Sequence, residues 1–121
     1  MHKLTASLED YLEIICNYDN SKKSIRAIDI SKAMGVSRAS VAEALKKLVT
    51  NNFITYNQQN KITLTDEGRK IAQEVVSKHT VLQMFFESIG LSKEEASLNA
   101  CKVEHVITQN AFDKISKYIE K

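Results

Sequence analysis

The sequence predicts a mainly α-helical protein, with an N-terminal winged helix-turn-helix that has a two-stranded wing, followed by a helical lobe. Three observations support this fold class. Apolar residues recur at helical spacing through most of the chain, two short helical segments meet at a glycine, and two β-prone segments follow them directly. The composition agrees, because a chain of 121 residues with 0 Pro and 3 Gly allows long helices and disfavours a sandwich with many turns.

The helix-turn-helix is predicted from the residues that cap and end helices in the first half of the chain. A first helix covers about residues 7–18, with Ser7 as its cap. After a polar loop, a short helix ends at Gly35, and Ser37 caps the next helix, whose apolar positions run from Val41 to Val49. Two short helices joined through a glycine turn are typical of a helix-turn-helix.

The wing and the helical lobe follow from the next segments. Residues 53–56 and 61–64 are β-prone and flank a polar turn, which predicts a hairpin. A long helix capped by Thr65 continues to about Ile89, and the capping box Ser92–Glu95 opens another helix. That helix breaks or bends near residues 105–108, and a last helix runs to about Ile119. We therefore divide the chain into a winged helix-turn-helix domain, residues 1–64, and a helical domain, residues 65–121.

Composition excludes several classes of protein. Hydrophobic residues make up 43% and charged residues 26%, which is typical of a globular chain. Apolar runs stay far below the ~18 residues that a membrane span needs, and the N-terminus lacks the apolar core of a signal peptide. Cys16 and Cys101 are too few for a disulfide framework. We therefore expect a soluble, cytoplasmic protein without a membrane partner.

Charge is unevenly distributed although the net charge is only +2. Residues 22–50 carry seven Lys and Arg against two Asp and Glu, whereas residues 1–21 carry one Lys against four acidic residues. The basic block coincides with the predicted helix pair, which favours an anion-binding surface there. A chance excess of charge on a solvated face is the alternative.

The predicted helix after Gly35 has the features of a DNA recognition helix. Its N-terminal residues would reach base edges in the major groove, where short side chains permit close approach and Arg38 can read guanine or bind a phosphate. A winged helix that binds another protein is the alternative. The candidate DNA contacts are Arg26, Ser37, Arg38, Ala39, Ser40, Glu43, Lys46, Lys47 and, in the wing, Lys61.

Side chains of the types that can bind metal ions occur on three predicted helices. They are Asp10 and Glu13, then His79, and then Cys101, Glu104 and His105. Spacings of three and four residues place side chains on one face of a helix, so each group can converge on one ion. Together, these residue types suggest a divalent cation site.

Each of these residues also has a purely structural explanation. Asp10 can interact with the dipole of the first helix, Cys101 can be a small core residue, and His79 can be a structural histidine. Spacing alone leaves both readings open. A zinc hydrolase would need a substrate cleft and a catalytic motif. The sequence has no nucleophile elbow, Gly-rich phosphate loop or H-E-x-x-H helix, so we do not expect an enzyme.

Four segments of the chain resemble the DtxR/MntR family of metal-dependent repressors. They are EDYLEII at residues 9–15, LTDEG at 64–68, KH at 78–79 and CKVEH at 101–105. The resemblance covers essentially the whole chain, in the short, MntR-like form without an SH3-like domain. It implies a repressor that forms homodimers, binds Mn(II) or Fe(II) as corepressor and then binds palindromic double-stranded operator DNA. It also implies that residues 65–121 bind metal and dimerise, with the ligands Asp10, Glu13, His79, Cys101, Glu104 and His105.

Three positions depart from the pattern of a single branch of the family. Asp10 matches the manganese-sensing branch, Cys101 matches the iron-sensing branch, and Gln83 replaces an acidic residue of the iron branch's ancillary site. Carboxylates favour Mn(II), whereas a thiolate favours Fe(II), Co(II) or Zn(II). The native metal therefore stays open between Mn(II) and Fe(II), with Zn(II) or Co(II) binding in vitro.

Two further interpretations stay open at this point. A metal-independent winged-helix regulator would respond to a small molecule, and a chelator would not affect its binding to DNA. An interaction adaptor would bind no duplex DNA at all. For a metal-dependent repressor, we expect no small-molecule substrate.

Overall fold

The computed structural model describes residues 4–120, which form six helices and one two-stranded sheet. The helices are α1 (Ala6–Asn20), α2 (Ala27–Met34), α3 (Arg38–Thr50), α4 (Asp66–Ser88), α5 (Lys93–Val103) and α6 (Gln109–Ile119), and the strands are β1 (Ile54–Tyr56) and β2 (Ile62–Leu64). This order of elements confirms the predicted mainly helical fold with an N-terminal winged helix-turn-helix. Within the described range, helices that could span a bilayer are absent.

The chain forms two compact units, Met1–Gln73 and Glu74–Lys121. The boundary between them lies within α4, so the beginning of this helix belongs to the first unit and the rest to the second. The functional division at residues 64 and 65 concerns DNA binding and metal binding, and it stays a prediction.

The first helix, α1, begins earlier than predicted. Thr5 has an extended backbone, and its side-chain oxygen accepts a hydrogen bond from the Leu8 N–H at 3.1 Å. The prediction that Ser7 caps this helix is therefore wrong, because Ser7 already lies in its first turn. The predicted apolar stripe is confirmed, since Tyr11, Leu12, Ile15 and Cys16 are buried.

The helix-turn-helix is held together by short-range hydrogen bonds. Gly35 ends α2 in the left-handed region, with φ of 66°, and its N–H donates to the Ser31 carbonyl at 2.9 Å. This conformation strains residues that carry a Cβ, which explains the glycine. Ser37 caps α3 by accepting the N–H of Ser40 at 3.1 Å. The inner faces of the pair contribute Ile30, Val41, Ala44, Leu45 and Leu48 to the core.

The wing is a short antiparallel hairpin in which Ile54 pairs with Leu64 and Tyr56 with Ile62. In its turn, the side-chain oxygen of Asn57 accepts hydrogen bonds from the Gln59 and Lys61 N–H groups, at 2.8 and 3.0 Å. The strands begin one residue later than predicted. Phe53 lies outside β1 because its N–H donates to the Leu48 carbonyl at the end of α3.

The start of α4 is tied to the base of the wing. The Thr65 hydroxyl accepts the Gly68 N–H at 3.0 Å and donates to the Asn52 carbonyl at 2.7 Å, which confirms Thr65 as a cap. A Cβ on Gly68 would lie 1.8 Å from the Phe53 carbonyl oxygen, so only glycine fits at this position. One turn further along, Arg69 forms an ion pair with Asp19 of α1.

In the second unit, glycine and hydroxyl caps again define the helices. Gly90, with φ of 108°, follows the end of α4, and Ser92 caps α5 by accepting the Glu95 N–H at 3.1 Å. A turn over residues 104–106 separates α5 from α6, which confirms the predicted bend. The Phe85 ring contacts the rings of Phe86 and Tyr118.

Candidate metal centre and nucleic-acid interface

The two candidate ligands of the first unit lie on α1. Asp10 and Glu13 are three residues apart, and both side chains are half-buried. A spacing of three puts them on one face of the helix, as predicted. Asp10 lies beyond the first turn of α1, where Glu9 is the acidic residue. Because the helix dipole acts mainly within that first turn, it gives only a weak explanation for Asp10.

In the second unit, an imidazole faces a buried carboxylate. His79 Nδ1 lies 3.0 Å from Glu104 Oε1, although the two residues are 25 positions apart in the sequence. The Glu104 side chain is 1% exposed and that of His79 is 21% exposed. Removing a carboxylate from water costs several kcal/mol unless hydrogen bonds or cations compensate for it. A hydrogen bond to a charged group typically contributes about 1.5–3 kcal/mol. This pair is therefore a suitable place for a cation.

A thiol and a second imidazole lie close together at the end of α5. The Cys101 sulfur and a ring nitrogen of His105 are within 4.8 Å of each other, and both side chains are half-buried. Helix α5 ends at Val103, and the Glu104 N–H still donates to the Ala100 carbonyl at 2.9 Å. The sequence C-x-x-E-H thus spans the last turn of the helix and the turn that follows it.

The donor atoms of the second unit fit a first-row divalent cation. Imidazole, thiolate and carboxylate are the side chains that bind Mn(II), Fe(II), Co(II) and Zn(II) in proteins. The structure brings His79 together with Glu104, and Cys101 together with His105. A buried carboxylate among such donors adds the negative charge that a divalent cation requires.

One further residue of this cluster, Ser97, is not among the residues predicted from the sequence. The Oγ atom of Ser97 lies 3.3 Å from His79 Nε2, on the opposite side of the ring from Glu104. Ser97 precedes Cys101 by four residues and Glu104 by seven, so helical periodicity places it on the same face of α5. That spacing was the available signal, but a lone serine carries no signature of its own.

The candidate DNA contacts of α3 lie on its exposed side. The inner side of the helix is buried through Val41, Leu45 and Leu48, which leaves the opposite side to solvent. The Ser37 and Ser40 hydroxyls lie 3.0 Å apart at its N-terminus. The exposed set contains Ser37, Arg38, Ala39, Ser40, Glu43, Lys46 and Lys47, as predicted from the periodicity.

A basic groove lies beside the wing. Its volume is about 530 Å³, and it is lined by Lys23, Arg26 and Lys61 together with Tyr18, Ser24 and Asp29. The Arg26 side chain is 75% exposed, and its Nε atom is 4.0 Å from Asp29. Arg26 and Lys61 are among the DNA contacts predicted from the sequence, whereas Lys23 is not. The run Lys22–Lys23 was visible, but its proximity to the wing depends on the tertiary fold.

Comparison with family profiles gives two matches that together span nearly the whole chain. Residues 3–62 match the profile described as iron dependent repressor, N-terminal DNA binding domain. Residues 65–121 match the profile described as iron dependent repressor, metal binding and dimerisation domain.

Curated relatives include HTH-type transcriptional regulators named MntR. The protein from Geobacillus kaustophilus is 34% identical over 116 residues, which cover 96% of this chain and 82% of the relative. The protein from Bacillus subtilis is 30% identical over the same shares of the two chains.

Solved structures with the same fold include a manganese regulator and a protein named IdeR. The manganese regulator SloR superposes with a TM-score of 0.86 at 25% identity, covering 97% of this chain and 55% of that one. T. acidophilum IdeR gives a TM-score of 0.82 at 25% identity, covering 100% of this chain and 56% of that one. The chain therefore spans about half the length of these two solved chains.

Proposed function

The chain belongs to the DtxR/MntR family of metal-dependent transcriptional repressors, and from this premise we propose its specific activity. We propose that the protein binds Mn(II) or Fe(II) as corepressor, then binds a palindromic operator as a homodimer and so controls metal homeostasis. Acting on chromosomal DNA, it would work in the cytoplasm. Zn(II) and Co(II) would bind in vitro.

The observation that carries this proposal is the His79–Glu104 pair. It lies in the region that matches a metal-binding domain, and its carboxylate is almost fully buried. The proposed ligands are Asp10 and Glu13 of α1 together with His79, Cys101, Glu104 and His105. A bound cation would supply positive charge that offsets these carboxylates and the thiolate.

Ligation gives a physical basis for control of DNA binding, because two of the proposed ligands, Asp10 and Glu13, lie on α1. Ligation would restrict the freedom of α1, whose apolar face contributes to the core of the DNA-binding unit. In a two-fold dimer, two recognition helices must lie about 34–36 Å apart to enter successive major grooves. Ligands that favour this spacing shift the population toward the DNA-binding state, with a coupling of about 1–3 kcal/mol per site.

The DNA-binding role is supported by the exposed N-terminus of α3. Ser37, Ala39 and Ser40 are short enough for close approach to bases, and Arg38 carries a guanidinium that suits guanine or phosphate. The basic groove, with Lys23, Arg26 and Lys61, suits the phosphate backbone beside the wing.

Homodimer formation is supported by exposed apolar side chains in the second unit. Val106 is 78% exposed and Tyr118 is 66% exposed, which is costly for large apolar groups in water. Association with a second copy would remove these side chains from water. Others in this unit are Met84, Ile89 and Leu98.

The test is a gel shift with the DNA upstream of the chain's own gene, in Mn(II), Fe(II), Zn(II), Co(II) or chelator. We expect a metal-stimulated shift that Glu104→Gln loses and that Glu94→Gln retains, because Glu94 is exposed in the first turn of α5. Binding that a chelator leaves unchanged would favour the metal-independent regulator instead. Failure to bind any duplex, with or without metal, would favour an adaptor.

A further inference from the structure

We propose that Ser97 is a positioning residue of the metal centre, whose hydroxyl holds the Nε2 end of the His79 ring so that Nδ1 is presented to a cation beside Glu104. The inference rests on the proposed function, because it assigns Nδ1 of His79 as a metal-binding atom. It goes further by naming a residue of this chain that does not itself bind the ion.

The geometry defines the orientation of the ring from both sides. Nδ1 lies 3.0 Å from Glu104 Oε1 and Nε2 lies 3.3 Å from Ser97 Oγ. A ring held at two nitrogens cannot flip without losing both hydrogen bonds. Ser97 lies inside α5, a regular helix, so its hydroxyl is presented from a rigid element.

Serine suits this position because the ring must exchange its hydrogen-bonding roles when a cation binds. A neutral imidazole carries one N–H, and the other nitrogen accepts. Beside the Glu104 carboxylate, Nδ1–H donates and Nε2 accepts from the Ser97 hydroxyl. Once Nδ1 is a ligand it carries no hydrogen, so the hydrogen lies on Nε2 and donates to Ser97 Oγ. A hydroxyl serves both arrangements because it can donate and accept.

Hydrogen bonds to the second nitrogen of a ligating histidine set the tautomer and the ring orientation. Removing such a partner typically lowers metal affinity by about 10–100-fold. The Ser97 contact, at 3.3 Å, is at the long end for a hydrogen bond. We therefore expect an effect near the lower limit, about 10-fold.

The test compares Mn(II) affinity among variants of the full chain, measured from the electron paramagnetic resonance signal of free Mn(II). Ser97→Thr keeps the hydroxyl, and its Mn(II) affinity should lie within about 3-fold of that of the original chain. Ser97→Val has the shape of threonine without the hydroxyl, and it should bind Mn(II) about 10-fold more weakly than the original chain. Ser97→Ala should resemble Ser97→Val. Ser77→Ala, at an exposed serine of α4, should leave the affinity unchanged.

A second measurement separates positioning from a purely structural role. In Zn(II)-loaded protein, which is diamagnetic, ¹H–¹⁵N correlation spectra should show the hydrogen of His79 on Nε2. In Ser97→Val, that resonance should shift or broaden, while the helix content of the metal-free protein, measured by circular dichroism, stays equal to that of Ser97→Thr. If Ser97→Ala does not fold, the comparison of Thr with Val still decides.

Two results would overturn the proposal while leaving the proposed function intact. One is equal Mn(II) affinity in Ser97→Val and Ser97→Thr, alongside tight binding by the original chain. The other is a Zn(II)-bound His79 with its hydrogen on Nδ1. An original chain that binds neither Mn(II) nor Zn(II) would overturn this inference together with the proposed function.

Discussion

His79 Nδ1 lies 3.0 Å from Glu104 Oε1, and this contact joins α4 to the turn that follows α5. It gives the buried Glu104 carboxylate a hydrogen-bond partner within the same unit. The chemistry proposed for the protein depends on this relationship more than on any other, because a buried acid beside an imidazole suits a divalent cation.

Replacing Glu104 or His105 by alanine should abolish the metal response while the fold persists. Each change removes one proposed ligand, so Mn(II)-stimulated operator binding should fall by more than about 100-fold, exceeding the loss typical of a residue that only supports a ligand. Gel shifts with Mn(II) and with chelator measure the response, and circular dichroism checks the helix content. An undiminished metal response in both variants would remove the metal hypothesis.

Arg38→Ala and Lys46→Ala should weaken DNA binding in different ways. Arg38 lies in the first turn of α3 and is expected to contact bases, so its loss should cost about 1–3 kcal/mol at the specific operator. Lys46 lies farther along and is expected to contact phosphate, so its loss should weaken binding to all sequences alike. A salt titration separates them, since only the lysine change should reduce the slope by about 1. Identical slopes in the two variants would contradict this assignment.

Gly68→Ala should strongly destabilise the first unit. The added methyl would lie 1.8 Å from the Phe53 carbonyl oxygen, so the backbone at the base of the wing must move. We expect a loss of about 3 kcal/mol in the free energy of unfolding, at the upper end for overpacking. Urea unfolding measures it.

Gly35→Ala is the matched control for this prediction. Gly35 has φ of 66° but open space around it, so the substitution adds only backbone strain, about 1 kcal/mol. A smaller loss in Gly68→Ala than in Gly35→Ala would show that the close approach to Phe53 does not limit the position.

The two cysteines should differ in reactivity. Burial raises the pKa of the Cys16 thiol, which keeps it protonated at pH 8, and the side chain is fully buried. Cys101 is half-buried at the end of α5. Because the thiolate is the reactive form, one thiol should react quickly with Ellman's reagent in the native protein and the second only after denaturation.

Metal should protect the faster thiol. If Cys101 is a ligand, saturating Zn(II) should slow its reaction at least about 10-fold, while Cys101→Ser should lack the fast phase altogether. Cys16→Ala should retain the fast phase and its protection. A fast phase that persists in Cys101→Ser would show that Cys16 is the reactive thiol.

Local features of the chain were sufficient to predict most of the fold. The helix-turn-helix follows from Gly35 and Ser37, the wing from two β-prone segments around a polar turn, and the separation of α5 from α6 from the interruption predicted near residues 105–108. These features act over a few residues, through backbone conformation, capping and apolar periodicity, so they can be recognised in the sequence alone. The missed cap at Thr5 is an error of two residues in the same kind of inference.

Helical periodicity predicts which residues share a face of a helix, but the tertiary packing determines which residues that face contacts. Spacing put Glu104 and Cys101 on one side of α5, and it could not show that His79, 25 positions earlier, would lie against Glu104, or that Ser97 would hold the other side of the ring. In the same way, Lys23 joins Lys61 in one groove only because the wing folds back toward the loop after α1. Contacts between distant residues arise from burial of apolar surface over the whole unit, a cooperative effect that no single segment encodes.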